Sequence, residues 1–132
     1  MNERSSGRER PLDLSFMVRA EQGQPFWFGN DGEIIGYGIM RFGAARPWRS
    51  DTVTIGPIGA GTAMEARESV RAAVQWARSH AAVIEMAVPG PHPALGTLFA
   101  AGFRITGVET YCATVPELID PSRYLGSGGD LF

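Results

Sequence analysis

The sequence contains one cysteine, Cys112, and its 12 basic residues include no lysine. A single cysteine can form neither an internal disulfide nor a thiolate metal site, and this composition is typical of a reducing compartment. We therefore expect a cytoplasmic protein. Its two histidines, His80 and His92, have no further His, Cys or carboxylate at a metal-ligand spacing, so we expect no metal centre.

Positive charge is also scarce, since 12 arginines face 14 acidic residues and the formal net charge is −2. The chain thus lacks the broad positive field that binds nucleic acid or anionic lipid. No stretch approaches the ~18 apolar residues of a membrane span, and the charged first ten residues lack the apolar core of a secretory signal. We expect neither nucleic acid nor a membrane as a partner.

The 132 residues suffice for one domain that buries about two thirds of its unfolded surface. Seventeen glycines and nine prolines lie without a period between apolar runs, which indicates a turn-rich α+β domain. We expect a disordered tail over residues 1–12, a domain over 13–115 and a C-terminal tail over 116–132. The C-terminal tail has isolated hydrophobic residues between turn residues, and we expect it to lie over the domain or a partner.

A β-hairpin is the clearest local feature. Asp31-Gly32 separates two aromatic and β-branched runs, which is the strongest short-range hairpin signal. The pattern predicts strands over 24–29 and 33–42, followed by a connecting loop to Asp51.

A third strand is predicted over residues 52–55. Gly56-Pro57 follows it and should end the ladder or force a bulge, so that the strands splay apart. Thr62 and Glu65 then have the spacing of a capping box, and apolar residues recur at helical spacing after them. We predict a helix over 63–79.

The second half of the domain is predicted to contain two further strands and a short helix. The nearly continuous apolar run 82–88 is typical of a central strand that is covered on both faces. Pro93 and Gly102 bracket a short helix over 93–101. Residues 103–113 alternate imperfectly around Gly107, which predicts two short strands or one bulged strand.

This order of elements resembles the GNAT superfamily of N-acetyltransferases over about residues 24–113. The resemblance depends on Gly36-Tyr-Gly38 in the second strand, on the run from Ile55 to Gly61 that opens the long helix, and on Leu98-Phe-Ala-Ala-Gly-Phe103 at the end of the short helix. It implies a mixed, mainly antiparallel sheet flanked by helices, from which the N-terminal helices of the full fold are missing.

The resemblance also implies a cofactor, acetyl-CoA or another acyl-CoA, and transfer of its acyl group to an amine. In the family, backbone amides at the start of the long helix bind the cofactor pyrophosphate, where the helix dipole favours an anion. Here those amides would lie at the mouth of a cleft between two diverging strands. They belong to Ile58, Gly59, Ala60, Gly61, Thr62 and Ala63, which we call the candidate turn.

The chain departs from the family pattern at the positions that carry the chemistry. The Arg or Gln of the phosphate motif is replaced by Gly56 or Ala60, depending on the alignment, and Leu98 stands in the place of the tyrosine general acid. The predicted third strand contains no carboxylate to act as base. No catalytic residue is assigned; the candidates for a proton acceptor are Tyr37, Asp51, Glu85, His92 and Tyr111.

Two functions stay open from the sequence. The chain is either an acyl-CoA-dependent N-acetyltransferase or a catalytically inactive GNAT-like domain that serves assembly, partner binding or ligand binding. It resembles the atypical second GNAT module of tandem proteins, in which a Gly-Pro turn replaces the phosphate motif. The missing N-terminal wall would leave a sheet edge and apolar surface uncovered, so we expect a homodimer or a hetero-partner that completes the fold.

Overall fold

The computed structural model describes residues 11–20, 23–43, 51–115 and 119–127. The elements in chain order are α1 (Pro11–Arg19), β1 (Gly23–Asn30), β2 (Glu33–Phe42), β3 (Thr52–Ala60), α2 (Ala63–Ala77), β4 (Val83–Met86), α3 (Leu95–Ala100) and β5 (Tyr124–Leu125). The predicted disordered tail over 1–12 and the predicted loop after β2 lie largely outside the described residues.

The strands form one mixed sheet, which is mostly antiparallel and is flanked by helices. Its order is β1-β2-β3-β4, and β5 pairs with β3 off this path. The pairs β1–β2, β2–β3 and β3–β5 are antiparallel, whereas β3–β4 is parallel. The predicted α+β class with a mixed, mainly antiparallel sheet is therefore confirmed.

The structure confirms the predicted hairpin, both in the position of its two strands and in the residues that form its turn. β1 pairs with β2 from Gly23 opposite Arg41 to Asn30 opposite Glu33. The two turn residues, Asp31 and Gly32, have φ values of 49° and 86°. A two-residue turn with both φ values positive matches the right-handed twist of the flanking strands, which is why Asp-Gly is favoured there.

Helix α2 begins as the capping pattern predicts. The Oγ1 of Thr62 accepts a hydrogen bond from the Glu65 amide at 3.2 Å. Its buried face packs against β3 and β2, close enough to β2 that a Cβ on Gly36 would collide with the Ser69 hydroxyl. The buried residues of the helix are Ala66, Ser69, Val70, Ala73, Val74 and Ala77.

Helix α1 was not predicted: residues 1–12 were expected to form a disordered tail, and residues 1–23 were judged too few and too polar to replace the family's first strand and two helices. The structure nevertheless has a helix from Pro11 to Arg19, and the side chain of Met17 is fully buried. Pro11 occupies the first helical position, where its missing N–H has no cost. The helix contacts β1 and β2, and Met17 is its fully buried side chain.

The prediction of a central strand over 82–88 was wrong in position. β4 spans only Val83–Met86 and, among the described residues, pairs with β3 alone, so it is the outermost strand of the described sheet. Its residues are half-buried or exposed. Apolar content predicted burial on both faces, but it cannot show whether a neighbouring strand is present.

The prediction of strands within 103–113 was also wrong for the single chain. Residues 103–115 contain no strand, and all of them except Phe103 are exposed. In contrast, the predicted C-terminal tail contributes the short strand β5, whose two residues are buried. No helix in the described part of the chain is both long and apolar enough to cross a membrane.

Candidate functional site

The candidate site lies where β3 leaves its parallel neighbour. The β3–β4 ladder runs from Thr52 opposite Val83 to Ile55 opposite Met86 and ends there. β3 itself continues through Gly56-Pro57 to Ala60, and its register with β2 shifts between Gly38 and Met40. The divergence predicted at Gly56-Pro57 is therefore present between β3 and β4, although β3 does not stop. We call the edge of β3 exposed by this divergence the slot.

The slot is filled by the chain's own residues 119–127, which we call the C-terminal segment. β5 pairs with β3 in the register Ile58 to Leu125 and Gly59 to Tyr124. The Ala60 amide donates a hydrogen bond of 3.0 Å to the Arg123 carbonyl. Since alternate amides of a strand point to the same side, the Ile58 amide also points toward β5. Two of the six amides of the candidate turn thus face the backbone of the C-terminal segment.

Arg123 and Asp120 fix the start of this segment. The Arg123 Nη1 donates to the Gly61 carbonyl at 3.2 Å, and its Nε forms an ion pair with Asp120 Oδ2 at 2.6 Å. Asp120 also accepts hydrogen bonds from the amide and the hydroxyl of Ser122, at 2.9 and 2.6 Å. Partial burial acts to raise the pKa of Asp120, but these hydrogen bonds together with the Arg123 charge outweigh it and lower the pKa.

The end of the segment is held by a buried arginine of β2. The Arg41 Nη2 donates a hydrogen bond to the Ser127 carbonyl, and both residues are buried. Gly56 has a φ of 137°, and a Cβ at this position would collide with the Gly126 carbonyl oxygen. The absence of a side chain at Gly56 therefore leaves the space that the backbone of Gly126 occupies.

Tyr124 and Leu125 make the segment part of the hydrophobic core. Their exposed fractions are 1% and 0%, and Leu125 belongs to the main core cluster with Ile58 and Leu98. Burial of two large side chains contributes several kcal/mol, at about 1.5–3 kcal/mol each. The segment is thus an integral part of the fold.

The start of α2 presents a carboxylate where the resemblance implies a phosphate. The Glu65 carboxylate folds back so far that a Cβ on Gly61 would lie 2.8 Å from its Oε2. A negative charge in the first turn is favourable to the helix dipole, but it repels an incoming anion at the same place. With the Ala60 amide bonded to Arg123 and a carboxylate beside Gly61, the candidate turn as arranged does not fit an acyl-CoA.

The candidate proton acceptors are dispersed over the fold. Tyr37 is buried in β2 opposite Gly59, and it alone among them pairs with the candidate turn. Glu85 lies in β4 opposite Thr54, Asp51 is exposed just before β3, and Tyr111 lies on the exposed residues 103–115. Leu98, in the position of the family's tyrosine, is buried in the core.

His92 has a structural role in the loop before α3. Its side chain is buried, and its Nδ1 accepts a hydrogen bond from the Ala94 amide at 3.1 Å. Burial lowers the pKa of His92 to about 4, so the ring is neutral near pH 7. Its Nε2 is buried without a hydrogen-bond partner. The ring is thus enclosed by protein and is not an accessible general acid.

The residues that define the slot were missed from the sequence. Arg123 and the Tyr124-Leu125 pair contact β3, and neither was singled out. Arg41 was considered only as a contact for the adenine and phosphates of a cofactor, whereas it binds the Ser127 carbonyl of the C-terminal segment. A short apolar pair between Pro121-Ser122 and Gly126 is a signal for a brief strand, although nothing local reveals its partner. Over residues 11–20, 23–43, 51–115 and 119–127, no cluster of three or more His, Cys, Asp or Glu could bind a metal ion.

Comparison with known proteins finds no match: no family model, curated protein or solved structure is similar to this chain. The function is accordingly argued from the chain's own residues.

Proposed function

We propose that this chain is a GNAT-like domain that does not transfer acyl groups and that serves instead in protein assembly. The likeness in architecture is supported by the antiparallel strands β1–β3, by the parallel β4, and by the divergence of β3 from β4 beyond Ile55. The long helix that begins directly after β3 also agrees with the family's order.

The observation that carries the proposal is the pairing of β5 with β3. In an acyl-CoA transferase of this architecture, the diverging strands would have to leave the β3 edge open to the cofactor. Here Leu125 and Tyr124 occupy that edge, and both are buried. A cofactor could enter only by expelling two core side chains, which would cost several kcal/mol of burial before any binding is gained.

A role in assembly is supported by the apolar surface that the fold leaves exposed. Residues 103–115 carry four large hydrophobic side chains that are at least 46% exposed, and β4 adds Val83. Several exposed large apolar side chains within one short segment are a feature of protein–protein contact sites.

Calorimetric titration of the whole protein with acetyl-CoA tests the proposal. We expect no binding tighter than millimolar, and no release of free thiol when an amine is added. The Gly61→Val variant is the probe of the candidate turn, and Gly90→Val is its matched control because a Cβ at Gly90 meets nothing within 4 Å.

Micromolar binding of acetyl-CoA by the wild type and by Gly90→Val, with loss of binding in a folded Gly61→Val, would contradict the proposal. That result would support the competing function, in which the chain acylates an amine and the C-terminal segment leaves the slot.

A further inference from the structure

Residues 104–109, which we call the exposed stretch, belong to neither a helix nor a strand. All of them are exposed, with Ile105 at 65% and Val108 at 86%. The backbone is open as well, because a Cβ added at Gly107 would meet nothing within 4 Å. Peptide bonds in exposed, irregular chain of this kind are the preferred targets of endoproteases.

Hydrogen bonds fix the chain as far as Phe103. The Phe103 amide donates to the Leu98 carbonyl at 3.1 Å, and Phe103 packs against the hydrophobic core. Within the described part of the chain, none of the hydrogen bonds and ion pairs involves residues 104–109. An endoprotease that binds its substrate as an extended strand therefore has little local structure to open before it can cut here.

The glutamates of the described residues differ in how easily such an enzyme could reach them. Glu33 lies in the β1–β2 ladder, Glu65 and Glu68 lie in α2, and Glu85 lies in β4. Among the described glutamates, only Glu109 lies outside the helices and strands. Cleavage after any of the other four requires an element of the fold to open first, whereas cleavage after Glu109 does not.

The contacts that hold the C-terminal segment lie outside the exposed stretch. The side chain of Arg123 binds the Gly61 carbonyl, and the pairing of β5 with β3 buries Tyr124 and Leu125. A cut within the exposed stretch would leave each of these contacts intact. The two products should therefore remain together as one folded domain.

We propose that the exposed stretch is a site of endoproteolytic processing, and that its cleavage turns the C-terminal segment from a tethered part of the fold into an exchangeable one. One water molecule is consumed: the carbonyl carbon loses its bond to nitrogen and gains the hydroxyl group, and the nitrogen gains the proton. The co-reactant is an endoprotease that accepts an extended substrate rich in β-branched residues, as Ile105, Thr106 and Val108 are. This inference goes beyond the proposed role in assembly and does not depend on it.

The tether controls whether the slot can exchange its occupant. In the intact chain, a segment that leaves the slot stays at an effective concentration in the millimolar range, so it returns before another molecule can replace it. After cleavage, its return depends on the concentration of the free fragment. The same segment from another molecule can then take its place.

Digestion of the whole protein by a glutamate-specific endoprotease tests the site. Among the described glutamates, we expect the bond after Glu109 to be cut first, and mass spectrometry identifies the products. Glu109→Gln should lose this cleavage. Glu33→Gln removes an exposed glutamate within a paired strand and is the matched control, which should keep it.

Gel filtration and a fluorescent peptide with the sequence of residues 110–132 test the fate of the segment. The two parts of the cleaved protein should elute together and should separate only in denaturant. The cleaved protein should take up the peptide, whereas the intact protein should not. A peptide with Leu125→Ala is the control and should not be taken up, because it lacks a fully buried side chain of β5.

Three results would overturn the proposal. They are resistance of the bond after Glu109 while a bond after another described glutamate is cut or none is, separation of the two parts without denaturant, and equal uptake of the peptide by the intact and the cleaved protein. None of these measurements involves acetyl-CoA, so the processing site can fail while the proposed lack of acyl transfer stands.

Discussion

At the scale of single residues, Gly56 shows how closely the sheet and the C-terminal segment are fitted together. Its φ of 137° is rarely adopted by residues with a side chain, and the space where a Cβ would lie is taken by the Gly126 carbonyl. Both constraints act at the point where β3 and β4 diverge.

Replacement of Gly56 by alanine should therefore destabilise the domain. Backbone strain alone costs about 1–3 kcal/mol, and the collision with Gly126 adds to it. Chemical denaturation should show a loss of at least 2 kcal/mol, roughly, in the free energy of unfolding. Gly90→Ala is the control, since its Cβ would meet nothing within 4 Å, and an equal loss in both variants would contradict this account.

His92 makes the stability of the fold depend on pH. Its pKa is about 4 in the folded protein and 6.5 in its ordinary state, so folding favours the neutral ring. The stabilisation is complete above pH 6.5, declines as the pH falls from 6.5 toward 4, and is lost below that. At about 1.4 kcal/mol per pKa unit, the full loss is at most about 3.5 kcal/mol.

His92→Asn should flatten this pH dependence. The asparagine Oδ1 can accept the hydrogen bond from the amide two residues ahead, so the contact with Ala94 is retained while the titration is removed. Unfolding measured at pH 7 and pH 5 should show a smaller difference for the variant than for the wild type. Parallel profiles would mean that the ring does not titrate in this range.

At the scale of elements, local signals predicted most of the fold correctly. The β1–β2 hairpin follows from Asp31-Gly32, and α2 follows from Thr62 and the apolar stripe behind it. In both cases the residues that determine the element lie within a few positions of it, so the sequence pattern alone is sufficient to predict it.

The elements that were missed depend on distant partners. β5 is two residues long, and its pairing with β3 is accompanied by side-chain hydrogen bonds that span 62 and 86 residues. Nothing near Tyr124 identifies Gly59 as its neighbour. The filled slot could therefore not be predicted, although the candidate turn and the divergence at Gly56-Pro57 could.

Leu125→Ala measures how much β5 contributes. Leu125 is fully buried, and truncation of such a side chain costs about 2–5 kcal/mol. Thermal or chemical unfolding should show a loss in this range. Val115→Ala removes an exposed apolar side chain and is the matched control, with an expected effect on the single domain below about 0.5 kcal/mol. A loss under 1 kcal/mol for Leu125→Ala, roughly, would mean that the segment lies loosely on the sheet.

At the scale of the whole molecule, the β3 edge beyond Ile55 is filled by a segment of the chain itself. The C-terminal segment completes β3 at the slot, whereas β4 has no second neighbour among the described residues. The candidate cofactor site and the candidate assembly surface are thus separate parts of the same sheet.

The long reach of the C-terminal segment also has a kinetic consequence. The β1–β2 turn and α2 are joined by neighbouring residues and can form quickly, whereas β5 must close a loop of more than sixty residues to reach β3. Contacts made after the rate-limiting step affect how fast a protein unfolds more than how fast it folds. We expect Leu125→Ala to accelerate unfolding in stopped-flow experiments and to leave the refolding rate nearly unchanged. In that case the packing of β5 against β3 determines how long the native state persists before it unfolds.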